Sequence, residues 1–297
     1  MNKGHEPELQ PVLMLVPYFA PQAHAAMFRA HKLAKYLPDY GYRPVVVTAD
    51  INYLYNNDTE LLAELPSLVE VHRARHIEPT LRGLRMALGG RDRTFAALKP
   101  ENDLPQSGVN GRQGAQAGGN APSRYAEIVR LLGEWPDRYW TWSLAAHRLC
   151  RRLIQEQDIK LIYTSAVPTS PLAAAQSLQE EFGLKWVADF RDPVGYGQKH
   201  SARGVIASGM EQKILNRAMN NADMVTGLAS SYGSIFFDLY GLPEARYRFI
   251  PTGLDEEYLK HGSNVARDDG LLLHVGEVMP NQSPHIFRVL ARAHEIN

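Results

Sequence analysis

The sequence of 297 residues contains a single cysteine, Cys150, so no disulfide can form within the chain. This fits a reducing compartment, and we expect Cys150 to be a packed helix residue. Neither sign of charge is in excess, since 32 Lys and Arg balance 32 Asp and Glu. The composition therefore gives no electrostatic reason to expect a nucleic-acid partner.

Long hydrophobic runs are also missing. No run approaches the ~18 apolar residues of a membrane span. Residues 1–10 are polar and lack the apolar core of a signal peptide. We therefore expect a cytoplasmic protein, with attachment to a membrane surface left open.

Glycine is absent between Tyr18 and Tyr40, where the first loop and the first helix are predicted. A dinucleotide-binding fingerprint needs glycines at this point, so a nicotinamide-dependent dehydrogenase is disfavoured. Anion binding at the helix N-terminus does not need them and stays open.

What the chain does contain is a regular alternation of strand and helix patterns. Pro11–Pro17 and Arg43–Thr48 are short apolar runs, typical of strands buried on both faces. A segment with apolar residues at helical spacing lies between them, and Gly41 ends it, which makes a βαβ unit. A second alternating series runs from residue 125 to residue 250. We predict an α/β fold with a doubly wound, mostly parallel, Rossmann-like sheet.

Two polar segments divide the chain. Residues 98–123 are rich in Gly, Gln, Asn and Pro, which predicts a disordered insert. His261–Gly270 is polar and linker-like, and a strand and a helix are predicted after it. We therefore predict a Rossmann-like domain over residues 1–262. Residues 263–297 would be a linker and the first βα unit of a second domain.

The most informative stretch is Trp186–Pro193. It begins as an apolar strand and then becomes charged at Asp189, Arg191 and Asp192, before Pro193 stops regular pairing. Ligands of open α/β sheets bind at the carboxyl ends of strands, which makes these charges site candidates. The alternative is a structural Asp–Arg–Asp cluster that only orders the loop, since carboxylates beside arginine mark sites only some of the time.

A basic amphipathic helix is predicted around residues 81–88. Leu81, Leu84 and Leu88 fall at helical spacing beside Arg82 and Arg85. Such a helix can lie on an anionic membrane surface. The alternative is an ordinary solvated helix packed on the body of the protein.

Taken together, several segments resemble the GT-B glycosyltransferases, specifically family-4-like enzymes of surface polysaccharide synthesis. The segments that carry the resemblance are Tyr18–Gln22, Lys32–Leu37, Gly41–Thr48, Trp186–Pro193, Glu211 with Ile214–Ala218, Ile250–Asp255 and His274–Glu277. Trp186–Pro193 is the most specific of them, and the series covers nearly the whole chain apart from the predicted insert.

The resemblance implies two Rossmann-like domains that face a cleft. The first would bind a glycan or lipid-linked acceptor and the second a nucleotide-sugar, so that this chain would be an acceptor domain with a truncated donor domain. The nucleotide-sugar would be a co-substrate, and no cofactor is implied. Metal is not implied either, because helix N-termini and basic side chains can stabilise a departing diphosphate.

The resemblance and the residue chemistry together give a set of candidate site residues. The catalytic candidates are Asp192 and His24, and the substrate-binding candidates are Gln22, Ser165, Asp189, Arg191, Glu211 and Gly276. His24 would be a base or an acceptor contact, or else an exposed loop histidine. Gly276 would let the backbone approach the donor phosphate, or else is a plain turn glycine.

A second class of function remains open from the sequence. The chain would then be a non-catalytic module that recognises a glycan or a protein partner and lacks a complete donor site. Consumption of a nucleotide-sugar by the chain would favour the enzyme, and the absence of nucleotide binding would count against it.

Overall fold

The computed structural model describes residues 9–23, 25–50, 58–77, 136–194, 205–255 and 292, with only the backbone given for 205–208. The chain divides into two compact units, Met1–Gly253 and Leu254–Asn297. The elements given below all belong to the first unit. The predicted insert, the predicted basic helix and the predicted domain boundary at 262/263 lie outside the described residues.

The described part of the first unit contains one sheet in which every neighbouring pair of strands is parallel. Its strands are β1 Gln10–Leu15, β2 Tyr42–Ala49, β3 Glu70–Ala74, β4 Leu161–Ala166, β5 Lys185–Phe190, β6 Met224–Gly227 and β7 Tyr247–Phe249. Their order across the sheet is β3-β2-β1-β4-β5-β6-β7. The predicted α/β class and the parallel Rossmann-like sheet are confirmed.

Helices cover both faces of this sheet. They are α1 Met27–Tyr36, α2 Glu60–Ala63, α3 Trp140–Gln157, α4 Ser170–Phe182, α5 Val205–Asn221 and α6 Ser230–Tyr240, with 3-10 turns at Leu37–Tyr40 and Glu244–Arg246. On one face, α1 packs on a core that includes Met14 and Val46. On the other, α3 to α6 pack on a larger core built around Trp186 and Phe190. Apolar side chains on both faces explain why the strands read as continuous hydrophobic runs.

Helix α4 begins with a proline in its first turn. The helix starts at Ser170, so Pro171 lies within it and not in the loop before it. A proline is tolerated there because the first N–H groups of a helix have no partner within it. The helix is followed by Gly183, whose φ of 66° is a left-handed conformation that favours glycine.

The sheet order places a ligand crevice at a definite point. The chain builds outward from β1 through β2 to β3, and then from β4 through β5 and β6 to β7 in the other direction. Loops leaving the carboxyl ends of β1 and β4 therefore diverge. In open α/β sheets, ligands bind in the crevice at such a switch point.

Candidate functional site

Asp189 lies near the end of β5, at this edge of the sheet. Its side chain is fully buried and accepts several hydrogen bonds. Its Oδ2 accepts hydrogen bonds from Arg29 Nε at 2.7 Å and from Tyr163 Oη at 2.8 Å. Its Oδ1 accepts from Arg29 Nη2 at 2.7 Å and from Thr226 Oγ1. Two donors on each oxygen use the main hydrogen-bonding capacity of the carboxylate.

Strand register explains how this cluster assembles. Asp189 lies directly beside Thr226 of β6, and Tyr163 lies one pleat earlier on β4, so all three side chains share the face that α1 covers. Arg29 enters from α1 and is itself buried. A buried ion pair is tolerated when its remaining hydrogen-bonding groups are satisfied, as they are here.

The pKa of Arg29 reflects the same pairing. Burial alone would lower it, but the hydrogen bond and the charge of Asp189 raise it above its usual value, with a further contribution from Tyr163. The guanidinium therefore stays charged. Its third nitrogen, Nη1, donates to the carbonyl of Ile250 at 2.7 Å. Arg29 thus joins α1, β5 and the segment that follows β7.

A cleft of about 210 Å³ lies between α1 and this following segment. Its lining residues are Arg29, Lys32, Leu33, Tyr36, Leu37, Tyr40, Ile250, Pro251 and Gly253. Lys32 Nζ donates to the carbonyl of Gly253 at 2.9 Å. Most of the lining is apolar, and the charged groups of Arg29 and Lys32 already donate hydrogen bonds to backbone carbonyls. We therefore place the candidate site at the carboxyl edge of the sheet and not in this cleft.

Arg191 and Asp192 offer the accessible charges immediately after β5. The Asp192 side chain is 58% exposed, and its Oδ2 lies 3.4 Å from Arg191 Nε. This long contact on the surface is a weak one. The Asp192 side chain can therefore turn to a ligand, in contrast to the sealed Asp189, whereas the Arg191 side chain is only 23% exposed.

The other predicted site residues fall in different surroundings. Ser165 is half-buried and lies beside Asp189 in the register of β4 and β5. Gln22 is buried in the loop after β1, where its backbone N–H donates to Phe19 at 3.2 Å. Glu211 lies within α5 in the helix layer, where its charge contributes to raising the pKa of Tyr240, after the larger effect of burial. His24 and Gly276 lie outside the described residues, and all of these roles stay predictions.

The sequence prediction missed Asp137, which joins a distant segment to the switch point. Its Oδ2 accepts from the backbone N–H of Ser170 at 2.7 Å and from Thr169 Oγ1 at 3.2 Å. Its Oδ1 accepts from the backbone N–H of Tyr139 at 2.7 Å. A carboxylate at the first turn of α4 satisfies a donor that has no partner within the helix. The segment 137–139 is thereby fixed against the loop after β4.

An aromatic group accompanies this anchor. Tyr139 stacks on His76, with ring centroids 4.8 Å apart and an angle of 11°, and meets Tyr18 edge-on at 5.2 Å. Burial lowers the pKa of His76 to about 4, so its ring is neutral at neutral pH. The dense aromatic run at 139–142 was visible in the sequence, but nothing in it indicated Tyr18 or His76 as neighbours.

The two loops at the switch point are held in defined shapes. Arg73 Nη2 donates to the carbonyl of Ala20 at 2.6 Å and ties the loop after β1 to the end of β3. After β4, Val167 has a φ of 65°, a conformation that β-branched residues rarely adopt. Residues held in such conformations cluster at functional sites, which supports placing the site here. In the described ranges, no three His, Cys, Asp or Glu side chains converge as a metal site requires.

The sheet order and the helices on both faces define an α/β protein with a Rossmann-like unit. The family model for Glycosyltransferase Family 4 matches residues 109–258, half of the chain. The chain therefore belongs to glycosyltransferase family 4, and the resemblance to GT-B glycosyltransferases of this type is confirmed.

Solved structures with a similar fold share little sequence with this chain. A glycosyltransferase from Rickettsia africae ESF-5 is 10% identical, with a TM-score of 0.42 over 97% of this chain and 50% of that one. Anabaena Alr3699/HepE in complex with UDP-glucose is 12% identical, with a TM-score of 0.45 over 83% and 45%. Sucrose-phosphate synthase from Thermosynechococcus elongatus is 11% identical, with a TM-score of 0.47 over 82% and 48%.

The chain thus spans about half of the length of these solved structures. A search of curated proteins found no match to this chain.

Proposed function

We propose that the protein is a glycosyltransferase, or the N-terminal part of one, that moves a sugar from a nucleotide-sugar to a glycan or lipid-linked acceptor in surface polysaccharide synthesis. The observation that carries this is the family match over residues 109–258, which includes β4 to β7 and the charged edge after β5. The switch point of the parallel sheet supplies a crevice of the kind such a reaction needs.

The acceptor is proposed to bind at this edge of the first unit. Asp192 is the accessible carboxylate there, and we assign it the proton of the attacking acceptor hydroxyl. Arg191 would hold Asp192 or the acceptor, and Gln22 and His24 would approach from the loop after β1. Asp189 is proposed to act by fixing the end of β5, immediately before Arg191 and Asp192, because its own oxygens are fully occupied.

The donor is proposed to be a nucleotide-sugar, as expected for this family, with Gly276 close to its phosphates. UDP-glucose is a reasonable first compound to test, because Anabaena Alr3699/HepE has been solved in complex with it. We propose that no metal or cofactor is needed, since backbone N–H groups and basic side chains can stabilise a departing diphosphate.

Donor consumption tests the proposal directly. The purified chain is incubated with a panel of nucleotide-sugars and candidate acceptors, and released nucleoside diphosphate is measured. Asp192→Asn should lower the rate by about 10²-fold or more, the usual contribution of a general base. The matched control is Asp158→Asn, a substitution of an exposed aspartate in the turn between α3 and β4, which should leave the rate unchanged. If calorimetry detects no donor binding, this chain is not a complete transferase, and only the acceptor-binding part of the proposal stands.

A non-catalytic glycan-binding module is the second candidate. The observation that favours it is the sealing of Asp189, which removes one of the two edge carboxylates from any contact with a substrate. A chain that binds a glycan but neither binds nor consumes a nucleotide-sugar would decide for this reading.

A position on the cytoplasmic face of a membrane is proposed from the sequence around residues 81–88. No helix in the described ranges is long and apolar enough to cross a membrane. Vesicles containing anionic lipid should retain the protein at low salt, because arginines on an amphipathic helix are attracted to their surface. Arg82→Glu with Arg85→Glu should abolish this, and equal flotation of the double variant would refute the proposal.

A further inference from the structure

Two tyrosines at the switch point have no part in the function proposed above. Tyr18 follows β1 and Tyr139 precedes α3, and the two rings meet edge-on with centroids 5.2 Å apart. Both side chains are half-buried. They stand where the loops after β1 and β4 diverge, which is the position at which open α/β sheets bind ligands.

The Tyr139 ring is fixed from several sides. It stacks on the buried ring of His76 and meets the buried Trp142 at a centroid distance of 6.3 Å and an angle of 87°. Its backbone N–H is held by Asp137. A ring with its backbone and its neighbours immobilised loses little conformational freedom when a ligand packs on its remaining surface.

The charges around these rings are balanced. The phenol of Tyr18 is hydrogen-bonded to Tyr139 and lies in the fields of Asp137, Arg191 and Arg138. Asp137 is held by internal donors, and Arg191 lies beside the exposed Asp192. No strong field of one sign results, so the surroundings favour neither a strongly anionic nor a cationic ligand.

The chemistry of the group matches one class of ligand. An aromatic ring packs well on the C–H face of a sugar, because its own face is negative and the C–H groups are weakly positive. A guanidinium supplies paired donors and a carboxylate supplies acceptors, so the two together can bind neighbouring hydroxyl groups. Tyr18 follows β1 and Arg191 follows β5, and these two strands are separated by β4 alone. The axes of β1 and β5 are therefore about 10 Å apart, which leaves room for a single sugar ring between the two side chains.

We propose that Tyr18 and Tyr139, with Arg191 and Asp192, form a subsite for an uncharged sugar ring of the acceptor. The inference rests on the proposed function in taking the ligand to be part of an acceptor. It goes further by naming the recognised group, which is a neutral sugar ring rather than a lipid phosphate.

Saturation-transfer NMR on the full chain tests this without donor or turnover. The probes are methyl glucoside, methyl galactoside and methyl mannoside, with glucose 1-phosphate as the charged comparison. At least one neutral glycoside should receive saturation, most strongly at its ring C–H protons. Tyr139→Phe should retain the signal, while Tyr139→Leu should weaken binding by about tenfold, as expected for the loss of an aromatic contact.

Arg191→Gln keeps the test decisive if a change at Tyr139 disturbs folding, because Arg191 lies after the end of β5 and its contact with Asp192 is long and weak. It should weaken glycoside binding several-fold. Tyr40→Phe and Tyr40→Leu, at an exposed tyrosine after α1, and Arg152→Gln, on the exposed side of α3, are the matched controls and should have no effect.

The subsite is refuted if no neutral glycoside binds, if glucose 1-phosphate alone binds, or if Tyr139→Leu and Arg191→Gln both bind as well as the original protein. Glycoside binding without donor consumption would instead refute sugar transfer by this chain and leave the subsite standing, so the two failures can be told apart.

Discussion

At the scale of single residues, Asp189 and Asp192 have different roles although they are only three positions apart in the sequence. The Asp189 side chain is inside the layer between β5 and α1 and receives four hydrogen bonds. Asp192 has passed the end of the strand and is exposed. A carboxylate that is sealed by an arginine contributes to stability, whereas an exposed one is free to act on a ligand.

Asp189→Asn should destabilise the protein by about 3–5 kcal/mol, because it leaves the buried guanidinium of Arg29 without its counter-charge. Urea unfolding followed by circular dichroism measures the difference. The control is Asp192→Asn, which should change stability by less than about 0.5 kcal/mol because its side chain is on the surface. Similar losses for the two variants would contradict the structural role of Asp189.

His76 gives a pH dependence that can be measured separately. The folded state keeps its pKa at about 4 through burial, while an unfolded histidine binds a proton near pH 6.5. Between these values the unfolded chain takes up the proton first, so stability that is complete above pH 6.5 is lost as the pH falls.

At pH 5 this loss should be about 2 kcal/mol. His76→Phe keeps a ring stacked on Tyr139 and removes the titrating group, so its stability should fall less between pH 7.5 and pH 5. Chemical denaturation at the two pH values gives both numbers. An unchanged difference in the variant would show that His76 is not held neutral.

At the scale of elements, α6 and β7 approach each other closely around Tyr247. A Cβ added at Gly233 of α6 would lie 2.9 Å from the ring of Tyr247, and one added at Gly227 of β6 would lie 2.6 Å from its hydroxyl. That hydroxyl donates to the carbonyl of Ala229 at 2.6 Å, so the ring is held in place. These two glycines therefore set how closely the strand and the helix pack.

Gly233→Ala should destabilise the protein by about 1–2 kcal/mol. The overpacking against a fixed ring outweighs the gain in helix propensity of about 1 kcal/mol. Gly209→Ala is the matched control, since Gly209 is exposed within α5 and its added Cβ would meet nothing within 4 Å. That control should stabilise by up to about 1 kcal/mol. Thermal unfolding compares them, and a stabilising Gly233→Ala would contradict the packing argument.

At the scale of the molecule, the first unit has its own sheet and two cores. Its last segment is tied back by Arg29 to Ile250 and by Lys32 to Gly253. These two contacts and both cores lie within the first unit.

A chain that stops after Gly253 should unfold in one cooperative transition, because every residue of the two described cores precedes that point. A chain that stops after Arg246 loses β7 and the buried Tyr247, and should lack that transition. Calorimetry and near-ultraviolet circular dichroism distinguish the two. If the longer chain fails to unfold cooperatively, the first unit is not independent.

The sequence by itself determined the class of fold, because buried parallel strands must read as apolar runs and the helices between them must carry apolar stripes. It also indicated the charged edge after β5. An apolar strand that is followed directly by charged residues, here Arg191 and Asp192, places those charges at the carboxyl edge of the sheet. It identified the family through motifs spread over most of the chain. These signals are local, so each can be seen without knowledge of what lies opposite.

Only the tertiary structure decided which charges meet. Arg29 and Asp189 are 160 residues apart in sequence, and the Tyr18, His76 and Tyr139 rings come from three separate segments. Periodicity predicts which side of a helix or strand is buried, but it carries no information about its partner across the sheet. The sequence therefore made Asp189 a candidate ligand contact, because the partners that bury it could not be seen. In the fold its side chain is fully buried and accepts four hydrogen bonds from other residues of the chain.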